Sequence, residues 1–309
     1  MPKISIIMPI YMAEKYVEYA VQSILNQSYS DFELIVIDDK GTDNSISIVE
    51  GIKDSRIKIL ENDINRGIAF SRNKGIENAA GEYIALMDDD DFAPAYRLKI
   101  ENEFLDSNLD ISVVGGAAHV IDEYNNVIKY NNIQMIHNPY RLRAELLFHD
   151  VVMNGSTMFR KEFVLNHFIK YQDNMNGMED YRFWVDCSVL GKIVTLDHVL
   201  LYWRDNPNNE TAKNISFRKL ERQETFKKIQ EHALKVNGFD LNEEELRCFQ
   251  KGFAEGGRAF SSRQDLEQLY LVMKKLIEQG KDKDYADELK FVCKYMYGRR
   301  VAYSDIWAD

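Results

Sequence analysis

Residues 4–39 of the chain read ISIIMPIYMAEKYVEYAVQSILNQSYSDFELIVIDD. Residues 4–10 and 32–37 are almost continuously apolar, which is typical of strands that are buried on both faces of a sheet. Between them, over residues 14–27, apolar side chains recur every three or four positions, as on one face of a helix. A strand, a helix and a second strand in this order predict a right-handed crossover within a parallel sheet.

This alternation of strands and helices holds over the first ninety residues, the middle region is mixed, and the character changes from about residue 211. We predict strands at 57–60, 83–87, 111–122, 156–160 and 193–203, a helix capped by Thr42 or Asp43 that runs to about 52, and helices at 68–80, 94–106, 139–148 and 178–190. Four amphipathic segments follow, at 215–235, 242–255, 263–279 and 284–300. The predicted fold class is therefore α/β, a mainly parallel sheet flanked by helices, with a C-terminal all-helical appendage.

The composition is that of an ordinary folded protein. The chain has 309 residues, 45% of them hydrophobic, a formal net charge of −11 and three cysteines. These values exclude a disordered, collagen-like or coiled-coil chain, and three widely spaced cysteines indicate a reducing compartment. The acid excess argues against a partner that is bare nucleic acid. Because no run reaches 18 apolar residues, we expect no membrane span and no signal peptide, and a soluble or peripheral protein in the cytoplasm.

Polar residues follow each of the first four predicted strands, at the edge where ligands bind in an open parallel sheet. They are Pro9 and Tyr11, then Asp38 and Asp39, then Asn65, Arg66 and Gly67, then Asp88, Asp89, Asp90 and Asp91. The four consecutive aspartates need a cation if they are not simply a solvated acidic loop, and oxygen ligands suit Mg²⁺ or Mn²⁺. The first 210 residues hold 33 acidic and 20 basic side chains, which favours the cation.

Three sets of side chains have both a functional and a structural interpretation. Asp39 is a candidate acceptor for a nucleobase N–H, or else it begins a turn. Arg66 and Arg72 could face phosphate, or they form surface ion pairs. Glu179 and Asp180 open a predicted helix, where one carboxylate can cap the helix and the other can act as a general base. Their spacing alone does not choose between them.

Two nucleotide-binding motifs are absent from the sequence. No GxGxxG follows the first strand and no GxxxxGK[ST] occurs, so the dinucleotide fingerprint and the P-loop are excluded. No serine or cysteine nucleophile motif is present, and the six histidines show no metal-ligand spacing.

Three segments taken together resemble glycosyltransferase family 2, the inverting enzymes with the GT-A fold. They are residues 6–39 (IIMPIYMAEKYVEYAVQSILNQSYSDFELIVIDD), 65–91 (NRGIAFSRNKGIENAAGEYIALMDDDD) and 176–184 (NGMEDYRFW). The resemblance covers about residues 3–210. It implies a glycosyltransferase domain at 1–210, with a nucleotide-sugar-binding half at 1–92 and an acceptor-binding half at 93–210, and places a helical extension at 211–309 outside it.

The resemblance also implies roles for individual residues. Those implied to line the donor site, usually for a UDP-sugar, are Pro9, Tyr11, Glu14, Asp39, Asn65, Arg72, Asp88 and Asp89. Asp90, with Asp88, is implied to bind Mn²⁺ or Mg²⁺ on the diphosphate. Asp180 is implied to be the general base, and Glu179 its partner in the family's Glu-Asp pair.

The sequence departs from the family pattern in four places. Met12 stands where Asn is usual, and Lys40, Gly41 and Thr42 replace the usual turn after Asp39. The middle residue of the Asp-x-Asp motif is itself an aspartate, Asp89, so the metal ligand could be shared or shifted by one. Asn206 stands where His is common, which removes one contact to metal or phosphate.

These observations predict a metal-dependent, inverting hexosyl- or N-acetylhexosaminyltransferase. Its expected partners are a nucleotide-sugar donor and a glycan or lipid-linked acceptor in bacterial surface polysaccharide synthesis, with no nucleic acid. The helical extension could form a homodimer or lie against the inner face of the membrane, although packed core is the commoner use of amphipathic helices. A sugar nucleotidyltransferase and a catalytically silent binding module of the same fold are the alternatives.

Overall fold

A computed structural model describes residues 1–130, 135–206, 219–254, 260 and 262–302. The chain forms two compact units, and neither is a single stretch of sequence. The first unit contains residues 1–137, 152–174 and 190–212, and the second contains residues 138–151, 175–189 and 213–309.

The first unit is built on a mixed sheet of eight strands. The strands are β1 (Ile4–Ile10), β2 (Phe32–Asp38), β3 (Ile57–Glu61), β4 (Tyr83–Leu86), β5 (Val113–Ile121), β6 (Val127–Lys129), β7 (Met158–Arg160) and β8 (Ile193–Arg204). Their order is β3-β2-β1-β4-β7-β5-β6, with β8 also paired to β5. β3, β2, β1 and β4 are parallel, β7 is antiparallel to both of its neighbours, and β8 is parallel to β5. The predicted mainly parallel α/β class is confirmed.

Five helices of the first unit lie between the strands. They are α1 (Val17–Leu25), α2 (Ser45–Gly51), α3 (Ile68–Asn78), α4 (Arg97–Ser107) and α6 (Lys161–Asn166). The seven residues of β1 and the seven of β2 are all buried, as their apolar runs predict. α3 lies directly on this sheet, because a Cβ at Gly75 would come within 2.5 Å of Ile7. The carboxyl ends of β1, β2, β3 and β4 therefore meet at one edge, where the loops of the candidate site begin.

The second unit is helical. Among the residues that the structure describes, its helices are α5 (Pro139–Glu145), α7 (Glu179–Leu190), α8 (Lys219–Val236), α9 (Glu243–Phe253), α10 (Arg263–Gln279) and α11 (Ala286–Ala302). α8 ends before Gly238, whose φ of 74° is easy only for glycine. α9 begins with a capping box, in which Asn242 accepts from the backbone N–H of Glu245 and the Glu245 carboxylate accepts from that of Asn242. Residues 215–218 of the first predicted C-terminal helix lie outside the described residues.

The predicted boundary at residue 210 does not separate the two compact units. Residues 138–151 and 175–189 precede that boundary but belong with the C-terminal helices. The reason is apolar packing: the ring of Phe148 lies 4.8 Å from that of Phe253, and the ring of Tyr181 lies 5.6 Å from that of Phe226. The functional division into donor-binding and acceptor-binding halves stays a prediction.

A buried ion pair is hydrogen-bonded to the last residue of β4. Arg97 and Glu101 are both fully buried, and Arg97 Nε lies 3.2 Å from a Glu101 carboxylate oxygen. The guanidinium also donates to the carbonyl of Leu86, the last residue of β4, at 2.8 Å. Burial raises the pKa of Glu101 from its ordinary 4.5 to about 7, against the opposing effect of Arg97.

We expect Glu101→Gln to flatten the pH dependence of folding stability. Since the folded state holds this proton more tightly than the unfolded chain, the free energy of unfolding falls as the pH rises from about 4.5 to about 7. The pKa difference corresponds to roughly 3 kcal/mol across that interval. Denaturant unfolding at several pH values measures it. Glu103→Gln, at an exposed position on the same helix, is the control, and parallel curves for the wild type and Glu101→Gln would contradict the prediction.

Candidate functional site

The loop between β1 and α1 is tied to the loop that precedes α2. The backbone N–H of Ala13 donates to Ser45 Oγ at 2.8 Å, and that of Glu14 donates to an Asp43 carboxylate oxygen at 2.9 Å. In return, the Glu14 carboxylate accepts from both the backbone and the side-chain N–H of Asn44, each at 3.0 Å. Glu14, a predicted donor-site residue, therefore fixes two loops against each other.

Pro9 and Tyr11 stand at the start of the first of these loops. Pro9 is buried in β1 and pairs with Ile37 of β2. It lies beyond Ile7, the last residue of β1 that pairs with β4, so its missing N–H breaks no ladder bond there. The Tyr11 side chain is exposed, and its backbone N–H donates to Asp89.

Met12 and Lys40 adopt left-handed backbone conformations in the same two loops, with φ of 56° and 58°. Asn, the usual residue of the family pattern at position 12, tolerates this conformation better than Met does. The Met12 sulfur accepts from the backbone N–H of Thr42 at 3.3 Å. A Cβ at Gly41 would lie 3.1 Å from the Met12 backbone nitrogen. The departures from the family pattern at Met12 and at residues 40–42 thus lie against each other.

Asp39 organises the start of α3. Its side chain is buried, and its two oxygens accept from Asn62 Nδ2 at 2.7 Å and from the backbone N–H groups of Arg66 and Gly67 at 2.7 and 2.9 Å. Asn65 is exposed immediately before these residues. A carboxylate has about four acceptor positions, so a nucleobase N–H can be added to these three bonds. The nucleobase contact itself stays a prediction.

The side chains of Asp88 and Asp89 are held by different partners. Asp88 accepts from Arg72 Nη2 at 2.8 Å, and Arg72 is almost completely buried. Its guanidinium carbon lies 5.3 Å from the centre of the Tyr171 ring. Asp89 turns to the first loop, where the backbone N–H of Tyr11 donates to it at 3.0 Å. Arg72 is therefore bound to the acidic segment, and its place in the donor site stays a prediction.

Asp90 and Asp91 are held by residues at the end of β8. Asn206 Nδ2 donates to the Asp90 carboxylate at 3.0 Å, and Arg204 Nε donates to the Asp90 carbonyl at 2.7 Å. The backbone N–H of Arg204 donates to one oxygen of Asp91 at 2.9 Å. The other Asp91 oxygen has no hydrogen-bond partner among the described residues, although Asp91 is only 1% exposed. Asn206, which replaces the common His, thus contacts the predicted metal ligand.

The acidic segment carries more negative charge than the cations beside it neutralise. Burial and the charge of Asp90 raise the pKa of Asp89 well above its usual range. Burial and the charge of Asp88 raise the pKa of Asp90, although the hydrogen bond from Asn206 opposes this. Burial, with the charges of Asp90 and Asp88, raises that of Asp91 in the same way. Such a site favours either protons or an added cation.

The donor set fits a divalent cation that prefers oxygen. Asp88 and Asp90 are partly exposed, whereas Asp91 is buried and bound to Arg204. Over the part of the chain that the structure describes, no three His, Cys, Asp or Glu side chains form a ready-made metal cluster. The protein would then supply only one or two carboxylates, which suits Mg²⁺ or Mn²⁺, because these ions also take water and substrate phosphates as ligands.

Glu179 and Asp180 are the first two residues of α7, in the second unit. Glu179 is buried and Asp180 is partly exposed. One Asp180 oxygen accepts from the backbone N–H of Tyr181 at 2.7 Å. A helix N-terminus is a favourable position for a carboxylate, because backbone N–H groups there lack partners within the helix. Of the two, Asp180 is the more accessible to a substrate, and its role as the base stays a prediction.

The family described as Glycosyl transferase family 2 matches residues 5–168, which is slightly more than half of the chain. The chain belongs to glycosyl transferase family 2. The predicted resemblance is confirmed, and this family 2 protein is a glycosyltransferase.

Three known proteins show how this family 2 member compares with others. The UDP-Glc:alpha-D-GlcNAc-diphosphoundecaprenol beta-1,3-glucosyltransferase WfgD of Escherichia coli is 28% identical over 221 residues, 71% of this chain and 83% of WfgD. The structure of S. aureus TarS (residues 1–349) with UDP-GlcNAc has a TM-score of 0.66 at 19% identity, covering 97% of this chain and 89% of TarS. The mannosyltransferase PcManGT of Pyrobaculum calidifontis with GDP-Man and Mn²⁺ has a TM-score of 0.58 at 14% identity, covering all of this chain and 88% of PcManGT.

The two structural likenesses confirm the fold of this family 2 chain, namely a GT-A sheet with helices beyond it. Among the described helices, none is both long and apolar enough to cross a membrane.

Sequence reasoning missed three residues that hold the site of this family 2 member. Asn62 binds Asp39, Arg204 binds Asp90 and Asp91, and Arg222 binds the loop before Glu179. Arg204 lies two residues before Asn206, the position at which His is common in the family, so that position was a signal for it. Asn62 directly follows β3, the strand-end position that also marks the other site residues. Nothing in the sequence around Arg222 indicates its partner.

Proposed function

We propose that this glycosyltransferase transfers a sugar, with inversion at the anomeric carbon, from a nucleotide-sugar donor to a hydroxyl of a glycan or lipid-linked acceptor. The observation that carries the proposal is the arrangement of the acidic segment. Asp88, Asp89 and Asp90 remain partly exposed after β4, while Asp91 is buried and bound to β8. Three neighbouring carboxylates at this strand end are thereby accessible to a charged ligand.

A UDP-sugar is the proposed donor. WfgD is named for UDP-Glc and the TarS structure contains UDP-GlcNAc, although the PcManGT structure contains GDP-Man. Asp39 would accept an N–H of the base, and the loop at Tyr11 and the start of α3 would enclose the nucleoside. Arg72 already neutralises Asp88, so it reduces repulsion between the acidic segment and an incoming diphosphate.

Asp90 and Asp88 are the residues proposed to hold Mn²⁺ or Mg²⁺. The raised pKa of Asp90 supports this assignment, because a carboxylate that is costly to ionise alone gains most from a cation. The PcManGT structure, which shares this fold, contains Mn²⁺. A bound divalent ion supplies Lewis-acid stabilisation of the diphosphate as it leaves.

The proposed chemical step is a single displacement. Asp180 takes the proton of the acceptor hydroxyl, and the oxygen of that hydroxyl bonds to the anomeric carbon. The bond from this carbon to the diphosphate oxygen breaks, so the electron pair leaves with the nucleoside diphosphate. The proton on Asp180 then passes to water, and Asp180 is ready for another cycle.

The acceptor proposed here is part of a bacterial surface polysaccharide. WfgD is named for an acceptor on diphosphoundecaprenol, which is a lipid-linked sugar. Contact with a membrane surface and homodimer formation through the C-terminal helices stay predictions.

Turnover of a panel of UDP- and GDP-sugars tests the proposal. The assay follows release of nucleoside diphosphate with Mn²⁺, with Mg²⁺ and with EDTA, with water as the acceptor. We expect slow hydrolysis of one or a few UDP-sugars that stops in EDTA. Release of pyrophosphate from a nucleoside triphosphate and a sugar phosphate would indicate the nucleotidyltransferase alternative. No hydrolysis of any donor and no UDP binding would indicate the silent module.

A further inference from the structure

The loop immediately before Glu179 has an unusual backbone. Asn176 and Gly177 both adopt left-handed conformations, with φ of 50° and 71°. Met178 then closes a turn, because its backbone N–H donates to the carbonyl of Met175 at 3.0 Å. A non-glycine residue with positive φ persists where the surrounding structure holds it in place. The question is therefore which residues hold this loop.

Two side chains of α8 hold the loop. Arg222 Nη1 donates to the carbonyl of Gly177 at 2.9 Å and to that of Asn176 at 3.1 Å. The Asn176 side-chain amide donates to Thr225 Oγ1 at 2.9 Å, and Thr225 Oγ1 donates to the carbonyl of Glu221. The two residues with left-handed backbone are therefore both bound directly to the first turns of α8.

Further contacts keep α7 and α8 in a fixed register. The rings of Tyr181 and Phe226 lie 5.6 Å apart, and the Tyr181 hydroxyl donates to the carbonyl of Leu146. One and a half turns further along, His232 Nε2 lies 2.6 Å from one oxygen of Asp186. The residue numbers of the contacting partners increase along both helices, from Tyr181 and Phe226 to Asp186 and His232. The two helices therefore run in the same direction. Their N-termini lie side by side, with Arg222 beside the residues that lead into Glu179.

We propose that Arg222 is a positioning residue for the Glu179–Asp180 pair. This inference rests on the proposed function, in which Asp180 is the general base. Arg222 does not need to touch the substrate. It fixes the two carbonyls that precede α7, and so it fixes the direction in which the first turn of α7 presents Asp180. The C-terminal extension thereby contributes to catalysis through a side chain that lies outside residues 5–168, the part matched by the family.

The donor geometry of Arg222 explains why an arginine suits this position. The carbonyls of Asn176 and Gly177 precede the helix, so its backbone ladder does not supply them with donors. A guanidinium offers several N–H donors in a rigid plane, whereas a lysine offers one compact group on a flexible stem. A base displaced by about 1 Å can cost on the order of 100-fold in rate, so small changes of the loop should be measurable.

The first experiment compares Arg222→Gln and Arg222→Lys with the wild type in the hydrolysis of the preferred UDP-sugar. We expect Arg222→Gln to lower kcat by about 10- to 100-fold, with KM and UDP affinity changed less than about twofold. Arg222→Lys should give an intermediate kcat. Arg247→Gln, which changes an exposed arginine on α9, is the matched control and should behave as the wild type.

The second experiment places Arg222→Gln in an Asp180→Asn background. If Arg222 acts through Asp180, its substitution should have little further effect once the base is gone. A normal kcat for Arg222→Gln, or full additivity with Asp180→Asn, would overturn the inference. So would a loss of kcat that only follows a loss of folded protein, measured by thermal unfolding. Failure of the proposed function would give different results from failure of this inference. Either the wild type would hydrolyse no donor, or Asp180→Asn would turn over normally.

Discussion

We expect Asp180→Asn to slow sugar transfer by about 10²- to 10⁴-fold, the usual contribution of a general base. Asn keeps the size of Asp180 and an oxygen for the bond from the Tyr181 backbone N–H, so the first turn of α7 should be preserved. It cannot take the proton of the acceptor hydroxyl. The kcat for the preferred donor measures the loss, and calorimetric titration with UDP and Mn²⁺ measures binding, which should be unchanged.

Asp173→Asn is a suitable control for this prediction, because Asp173 is exposed and lies shortly before the same helix. It removes the same charge from a residue that lies outside the helix. Turnover by Asp180→Asn within about twofold of the wild type would remove Asp180 from the role of base and leave Glu179 as the candidate.

The second large effect is expected for Asp90→Ala. With Mn²⁺ present, the affinity for UDP should fall at least about tenfold. A tenfold loss corresponds to only about 1.4 kcal/mol of binding free energy, and the loss of a carboxylate ligand costs more than that. Without metal, the affinity should not change. The free protein should not lose stability through charge effects, since burial and the charge of Asp88 already raise the pKa of Asp90.

Titrations of UDP with and without Mn²⁺ test this prediction directly. Asp205→Ala is the control, because Asp205 is exposed and lies between Arg204 and Asn206, the two residues that hold Asp90. An Asp90→Ala variant whose UDP affinity still responds normally to Mn²⁺ would assign the metal to Asp88 or Asp89.

Most of the sheet could be predicted because its signals are local. An apolar run such as residues 4–10 and a helical stripe such as residues 14–27 each specify an element without reference to the rest of the chain. The exact start of an element is less certain: α1 begins at Val17 rather than near residue 14. Residues 14–16 form a turn before it, in which the carbonyl of Ala13 accepts from the backbone N–H groups of both Tyr16 and Val17.

The candidate site could be predicted in part for the same reason. The position of the acidic segment at a strand end follows from the strand before it. Which aspartates stay accessible does not follow, because Asp90 and Asp91 are oriented by Arg204 and Asn206, more than 100 residues later. The boundary at residue 210 reflects the extent of the family pattern, and packing of Phe148 and Tyr181 on later helices is invisible to that pattern.

The three-part origin of the second unit has a consequence for how the protein is made. When the ribosome has completed residue 189, Phe148 and Tyr181 exist, but Phe226 and Phe253 do not. At roughly 5–20 residues per second, the remaining helices take on the order of ten seconds to emerge. For that interval Phe148 and Tyr181 lack the aromatic partners that they have in the folded unit. A stop codon near residue 210 would make this transient state permanent, so the resulting fragment should aggregate instead of forming a smaller enzyme.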